Sequence, residues 1–294
     1  MKRIIISSII LLLFLTAKAD IKLPAIFSDN MLMQQNTQVN IWGQAAANKT
    51  VVLKASWTKK AVKVTANADG NWEAVINTPV TDGKPQTLSV SDGKEVVIRN
   101  ILLGDLWFCS GQSNMEMPMK GYKNQPIEGG TMDILNSKNN SIRIFTIKRN
   151  ASLTPLTDVT GQWQEANPET IREFSATAYY FGRQLNKSLQ IPIGLLHSSW
   201  GGSSAEAWMS KEMLEAYPQA KIPTSAEGIK DKNRTPTMLY NAMVYPVLGM
   251  TIKGFIWYQG ESNYDRANTY TSMFSDLVKG WRAKWAQKDT IPIY

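Results

Sequence analysis

The sequence predicts an α/β protein: an open, mostly parallel sheet with helices on both faces, preceded by a small β-sandwich. Three observations carry that expectation. Between Asp20 and Asn100 short β-prone runs are punctuated by three Asp-Gly pairs, and after Asn100 apolar strands alternate with segments of helical periodicity. The chain has 294 residues, 43% of them apolar, enough for two cores of ordinary size. The expected organisation is a leader at 1–19, a β-sandwich domain at 20–100 and an α/β domain at 101–294.

The leader comes first. Lys2 and Arg3 precede an apolar stretch from Ile4 to Leu15, and Ala17-Lys18-Ala19 stands before Asp20, the pattern of a secretory signal cleaved after Ala19. About a dozen apolar residues fall short of the roughly 20 that a spanning helix needs. Residue 20 is not cysteine, so a lipoprotein anchor has no attachment point. The expected mature protein is secreted or periplasmic and off the membrane. A single cysteine, Cys109, suits an oxidising compartment, where unpaired thiols are a liability.

In the first domain, Asp69-Gly70, Asp82-Gly83 and Asp92-Gly93 favour the positive backbone angles of hairpin turns. Between them, Val51 to Ala55 and Ala61 to Thr65 alternate as strands with one wet face. The second domain opens with the apolar run Ile101 to Phe108. Asn167-Pro168 supplies a cap and a first-turn proline, and Ile171, Phe174, Ala178, Phe181 and Leu185 then recur at spacings of 3, 4, 3 and 4, one apolar helix face. A strand at Ile191 to Leu196, a helix around Leu239 to Leu248, a strand at Ile252 to Tyr258 and a helix carrying Tyr270, Phe274, Leu277, Trp281 and Trp285 complete the alternation. Thr290 to Tyr294 reads as the start of another buried strand. A domain seldom stops inside its own sheet, so the chain is expected to be a fragment lacking its C-terminal part.

Composition narrows the chemistry. With one cysteine and one histidine, His197, the sequence has no CxxC zinc site, disulfide framework or HExxH motif. The formal charge of +8 falls to +5 without Lys2, Arg3 and Lys18 (29 basic against 24 acidic side chains), too diffuse to argue for nucleic acid.

Three polar, Gly-rich clusters each follow a predicted strand of the second domain: Ser110 to Met115, Ser198 to Ser203 and Gln259 to Asn263. The carboxyl ends of parallel strands share one edge, where ligands bind, so the three are expected to meet. Ser113, where a strand turns towards a helix, is the candidate nucleophile. The G-x-S-x-G elbow is absent, since Met115 occupies the second glycine position. Gly201 and Gly202 offer backbone N–H groups to a developing oxyanion, and the amides of Gln259 and Asn263 offer a further donor.

These residues resemble those of the sialate O-acetylesterases, a branch of the SGNH hydrolase superfamily. The resemblance runs through Leu23-Pro24-Ala25-Ile26-Phe27-Ser28-Asp29-Asn30-Met31, Ile41-Trp42-Gly43, Gly104 to Glu116, Ser199-Trp200-Gly201-Gly202 and Ile256 to Asn263. It implies an SGNH-hydrolase-like three-layer α/β/α parallel sheet, C-terminally incomplete here, and a carbohydrate esterase that removes acetyl groups from sugar hydroxyls without metal or organic cofactor. By the same resemblance Ser113 is the nucleophile, Gly202 the backbone oxyanion donor and Gln259 the side-chain donor. Glu261 is offered as orienter of the catalytic histidine, and Asn114 and Asn263 as substrate contacts. The family's final block, an Asp and a His three residues apart, is not in this sequence. His197 stands at a strand end where the family does not place its base, and it is expected to be a packed wall residue. Serine needs an adjacent base at neutral pH, so the chain ending at Tyr294 is expected to be inactive.

Two alternatives stand beside this reading. The same machinery on another sugar would be an acetylxylan or other polysaccharide acetylesterase. A non-catalytic carbohydrate-binding protein would instead use Trp42, Trp57 and Trp72 for sugar stacking, although aromatic residues usually fill sandwich interiors.

Overall fold

The computed structural model describes residues 20–285, 287 and 290–294; the predicted leader lies outside them. The strands are β1 (Leu32–Gln34), β2 (Thr37–Gln44), β3 (Thr50–Ala55), β4 (Val62–Thr65), β5 (Asn71–Thr78), β6 (Gln86–Ser91), β7 (Glu95–Gly111), β8 (Asn139–Thr146), β9 (Trp163–Ala166), β10 (Ile193–Ser199) and β11 (Gly254–Tyr258). The α-helices are α1 (Ser113–Glu116), α2 (Gly130–Leu135), α3 (Pro168–Arg172), α4 (Ala176–Leu189) and α5 (Ala267–Trp285). The whole is a mixed α/β fold around one large sheet.

That sheet is organised by β7. Its first half pairs antiparallel with β6, and its second half pairs parallel with β10 on one side and β11 on the other, while β1 lies parallel to Leu102–Gly104. The strand order is β4-β3-β6-β7-β10-β8-β9, with β1 and β11 attached to β7. From Ile101 onwards every residue of β7 is buried, which is what a parallel strand covered on both faces demands. The expected boundary at residue 100 therefore falls inside a strand. Asn100 marks it with φ +57°, opposite a register shift in β6, so the strand bends there instead of ending.

The two faces of the parallel part are filled by alternate residues. Trp107, Cys109, Ile144, Leu195 and Ile256 pack under α1 and α4 with Met115, Phe174 and Tyr179. Phe108, Phe145, Leu196 and Phe255 face Trp208, Leu239, Trp281 and Trp285. This second cluster continues without a break into Val39, Ile41, Val51 and Leu88 of the N-terminal strands. Beside the main sheet, β2 and β5 form a separate antiparallel pair, with β5 alternating strictly between wet and buried residues.

Several elements differ from the sequence reading. Of the three Asp-Gly turns only Asp92-Gly93 closes a hairpin, between β6 and β7; the other two carry the chain between the β2–β5 pair and the large sheet. The single helix expected from Pro168 to Leu185 is two, α3 and α4. The intervening backbone bonds to another segment: Met119 N–H donates to Phe174 O, and Ala176 N–H donates to Met117 O. Ser175 starts α4 by accepting from Ala178 N–H and donates its own hydroxyl proton to Met115 O. The segment around 239–248 is a π-helical turn, Tyr240–Val244, followed by a 3-10 turn, Tyr245–Val247. β8 and β9 went unpredicted. The expected final strand does pair beside β11: Phe255 N–H donates to Pro292 O at 2.9 Å and Trp257 N–H to Tyr294 O at 2.9 Å. The three tryptophans weighed as a sugar platform are in the packing. Trp72 is buried, Trp42 meets Phe27 edge-on at 4.7 Å between ring centroids, and Trp57 donates to Asn77 O.

Candidate active site

The three polar clusters meet at the carboxyl ends of β7, β10 and β11. Gly111 closes β7 with φ +145°, and a β-carbon there would lie 2.1 Å from Tyr258 O, so only glycine lets the ends of β7 and β11 come this close. Gln112 then joins the two loops. Its N–H donates to Tyr258 O at 2.9 Å, and its Oε1 accepts from Gly260 N–H and Ser262 N–H, both at 3.2 Å.

Ser113 opens α1 directly after this junction and is partly exposed. Among the described residues its Oγ has no hydrogen-bond partner. Three residues on, Glu116 lies over the second cluster: Oε2 accepts from Gly201 N–H at 2.8 Å, and Oε1 from Arg149 Nε at 2.5 Å. A β-carbon on Gly201 would come within 2.7 Å of Glu116 Oε2 and 3.8 Å of Ser113 Cβ, so this glycine lets the turn lie against the serine. Gly201 has thus spent its N–H on Glu116. Gly202, with φ +72°, has a backbone N–H that donates to no group among the described residues. The two carbonyls of this turn are held from the other side of the sequence, by Asn233 Nδ2 on Gly201 O at 2.8 Å and Arg234 Nε on Gly202 O at 3.1 Å.

The third cluster differs from its expected role. Gln259, expected as the side-chain oxyanion donor, is 9% exposed. Its two amide protons go to Ser203 O at 3.0 Å and Asn263 Oδ1 at 2.8 Å, and its Oε1 accepts from the Tyr270 hydroxyl at 2.9 Å. Asn263, expected to touch substrate, is 2% exposed; it accepts from Ala205 N–H and donates to Glu206 Oε2 at 2.9 Å. Both act as struts between the second and third clusters, because a buried amide must satisfy its hydrogen bonds locally. Glu261 and Asn114 stay at the rim, joined by a 2.6 Å bond from Asn114 Nδ2 to Glu261 Oε1.

His197 lies in β10 with its ring against Phe174, and Nε2 is 2.6 Å from Ser199 Oγ; Nδ1 is buried without a partner. Burial, helped by the nearby charge of Arg149, lowers its pKa to about 4. It is a neutral wall residue at pH 7 and has no bond to Ser113. Cys109 is buried, and burial pushes its thiol far up from the ordinary range, so it is inert. Among the described residues no cluster of His, Cys, Asp or Glu is placed to hold a metal ion.

Sequence reasoning missed Glu116, Arg149, Asn233, Arg234 and Tyr270. Glu116 carried a legible signal, the three-residue spacing that places it on the same side of α1 as Ser113. Tyr270 was read as part of an apolar helix face, whereas its hydroxyl bonds both Gln259 O and Oε1.

A serine and a glycine N–H that have no hydrogen-bond partner among the described residues thus stand at the carboxyl edge of the parallel strands, the place where α/β proteins bind ligands. The chain belongs to the carbohydrate esterase, sialic acid-specific acetylesterase family, whose model matches residues 103–294. It is 33% identical over 278 residues to the human sialate O-acetylesterase and 31% identical over 306 residues to the mouse one, covering 87% and 88% of this chain. The chain spans about half the length of these relatives, 51% and 55%. Among solved structures, a carbohydrate acetylesterase from Xanthomonas citri superposes with a TM-score of 0.83 at 32% identity, over 93% of this chain and 59% of that one.

Proposed function

We propose that the protein is an exported serine esterase that removes O-acetyl groups from sialic acids. In this reading the fold is SGNH-hydrolase-like, a three-layer α/β/α unit from about residue 101 behind a β-sandwich at 20–100, and the leader is cleaved after Ala19. The substrate is an O-acetylated carbohydrate, with neither nucleic acid nor membrane as partner.

The observation that carries the reading is that Ser113 Oγ and the Gly202 N–H both lack partners among the described residues, on a short helix and a turn that Glu116 joins through Gly201. Ser113 Oγ attacks the acetyl carbonyl, and the Gly202 N–H supports the oxyanion that develops. The sugar hydroxyl leaves with a proton, and water then releases acetate from acetyl-Ser113. Among the described residues no histidine reaches Ser113, since His197 is engaged with Ser199. The base in this reading is the histidine of the Asp-x-x-His block that the resemblance implies.

The test is acetate release by the full-length protein from O-acetylated sialic acid and from acetylated xylo-oligosaccharides, with a fluorophosphonate probe read by peptide mass. Cleavage of the sialate, a probe adduct on Ser113, and loss of both in Ser113→Ala are expected. Cleavage of the xylo-oligosaccharide alone would transfer the activity to neutral polysaccharides, and an adduct on Ser110 or Ser203 would remove Ser113 from its role.

A further inference from the structure

Two arginines flank the Gly201–Gly202 turn, and their electrostatic situations differ. Arg149 lies over the ring of Trp200, 5.8 Å from its centroid, and is neutralised by Glu116, which takes its Nε and one terminal nitrogen. Arg234 has no acidic partner among the described residues. Its Nε is fixed on Gly202 O, while its backbone is pinned through Arg234 N–H on Asp231 O and Ser204 Oγ on Arg234 O. The side chain is exposed, and Lys230 and Lys232 against Asp231 leave the same loop net positive.

We propose that Arg234 is the carboxylate-binding residue of the site, gripping the acid group of an anionic sugar while Ser113 meets the ester. Anchoring a guanidinium through Nε leaves both terminal nitrogens free in a planar fork, the geometry that takes a carboxylate in two parallel hydrogen bonds. The anchor is the carbonyl of Gly202, the residue whose N–H supports the oxyanion in the proposed reaction, so charge recognition and oxyanion support would share one turn. A neutral pentose polymer offers no group for such a fork. The proposal rests on the sialate reading of this site and adds to it the residue that selects the acid.

The experiment uses full-length Ser113→Ala protein, which binds without turnover, titrated by calorimetry with free sialic acid and with its methyl ester. The acid should bind at least tenfold more tightly than the ester. Adding Arg234→Gln should bring the two within a factor of two, and Arg234→Lys should restore part of the difference. Equal binding of acid and ester, binding of neither, or a preference that survives Arg234→Gln would overturn the assignment. Acetate release by the wild-type protein, measured in parallel on the O-acetylated acid and its methyl ester, separates the two failures. Turnover of both at equal kcat/KM removes only the role of Arg234, whereas no turnover of either removes the sialate reading itself.

Discussion

Gln259 illustrates how a side chain with the right chemistry can be committed elsewhere. It was the natural choice for an oxyanion donor, yet both of its amide protons are used inside the protein. Gln259→Ala would leave Ser203 O without its donor, while Asn263 Oδ1 keeps Ala205 N–H and the Tyr270 hydroxyl keeps the backbone carbonyl of residue 259; an unsatisfied buried polar group costs about 1–3 kcal/mol. A loss of about 2 kcal/mol in urea denaturation is therefore expected. Unchanged stability with a hundredfold or greater loss of turnover would return Gln259 to the oxyanion. His197 makes the second residue-scale prediction. Burial lowers its folded pKa to about 4, against 6.5 for a free histidine, so the unfolded chain takes up a proton in a range where the folded protein does not. Its share of stability is complete above about pH 6.5 and is lost as the pH falls to 4, on the order of 3 kcal/mol in all. Comparing urea midpoints of wild type and His197→Gln between pH 4 and 8 checks this; the two curves should converge towards acid. Parallel curves would mean that the ring is charged or exposed.

At the scale of elements, the placement of Ser113 depends on how α1 is held. Four residues make too short a helix to be stable alone, so its position comes from its attachments. Glu116 and Gln112 tie it to the two neighbouring strand ends, and Ser175 ties it to α4. The Ser175 hydroxyl caps α4 and donates to Met115 O at 2.5 Å. Ser175→Ala removes an N-cap, about 1 kcal/mol, and a buried hydrogen bond of similar size. A decrease of about 2 kcal/mol in unfolding free energy is expected, together with slower fluorophosphonate labelling of Ser113. Reduced stability with unchanged labelling would show that α1 is held by Glu116 and Gln112 alone.

For the whole molecule, β7 makes one body of what the composition divides into two. Its bend at Asn100 is fixed by a half-buried polar knot around Arg143. Asn100 Nδ2 donates to Asn30 Oδ1 at 2.7 Å and Glu165 Oε1 at 2.9 Å, while Arg143, 1% exposed, reaches Asn100 Oδ1 and Glu165, both at 3.1 Å. Truncating the buried Arg143 leaves a cavity and takes the donor from Asn100 Oδ1, while Glu165, 32% exposed, keeps Asn100 Nδ2 and water. Arg143→Ala should lower stability by about 3 kcal/mol. Because the strand and its apolar cluster are continuous across the bend, far- and near-ultraviolet circular dichroism should lose signal in a single shared transition. Two separated transitions would show that the N-terminal strands unfold on their own.

Periodicity and turn chemistry determined much of this fold in advance. Alternation announced β3 and β4, the apolar runs announced β7, β10 and β11, and the heptad-like spacing of Tyr270 to Trp285 announced α5, because these signals reflect which face is buried and need no knowledge of partners. The rule that parallel strand ends share an edge was enough to bring Ser113, Gly202 and Gln259 together. Tertiary structure decided the rest wherever a group had several possible partners. The helix expected from 168 to 185 breaks because residues 174–176 bond to the segment after Ser113, and two Asp-Gly turns connect different sheets. A glutamine two loops from Ser113 gives its protons to its neighbours, while an arginine absent from every motif stands beside the Gly201–Gly202 turn. Local sequence states which hydrogen bonds a residue is able to make; only the packed chain determines which partners arrive and which donors remain free for a ligand.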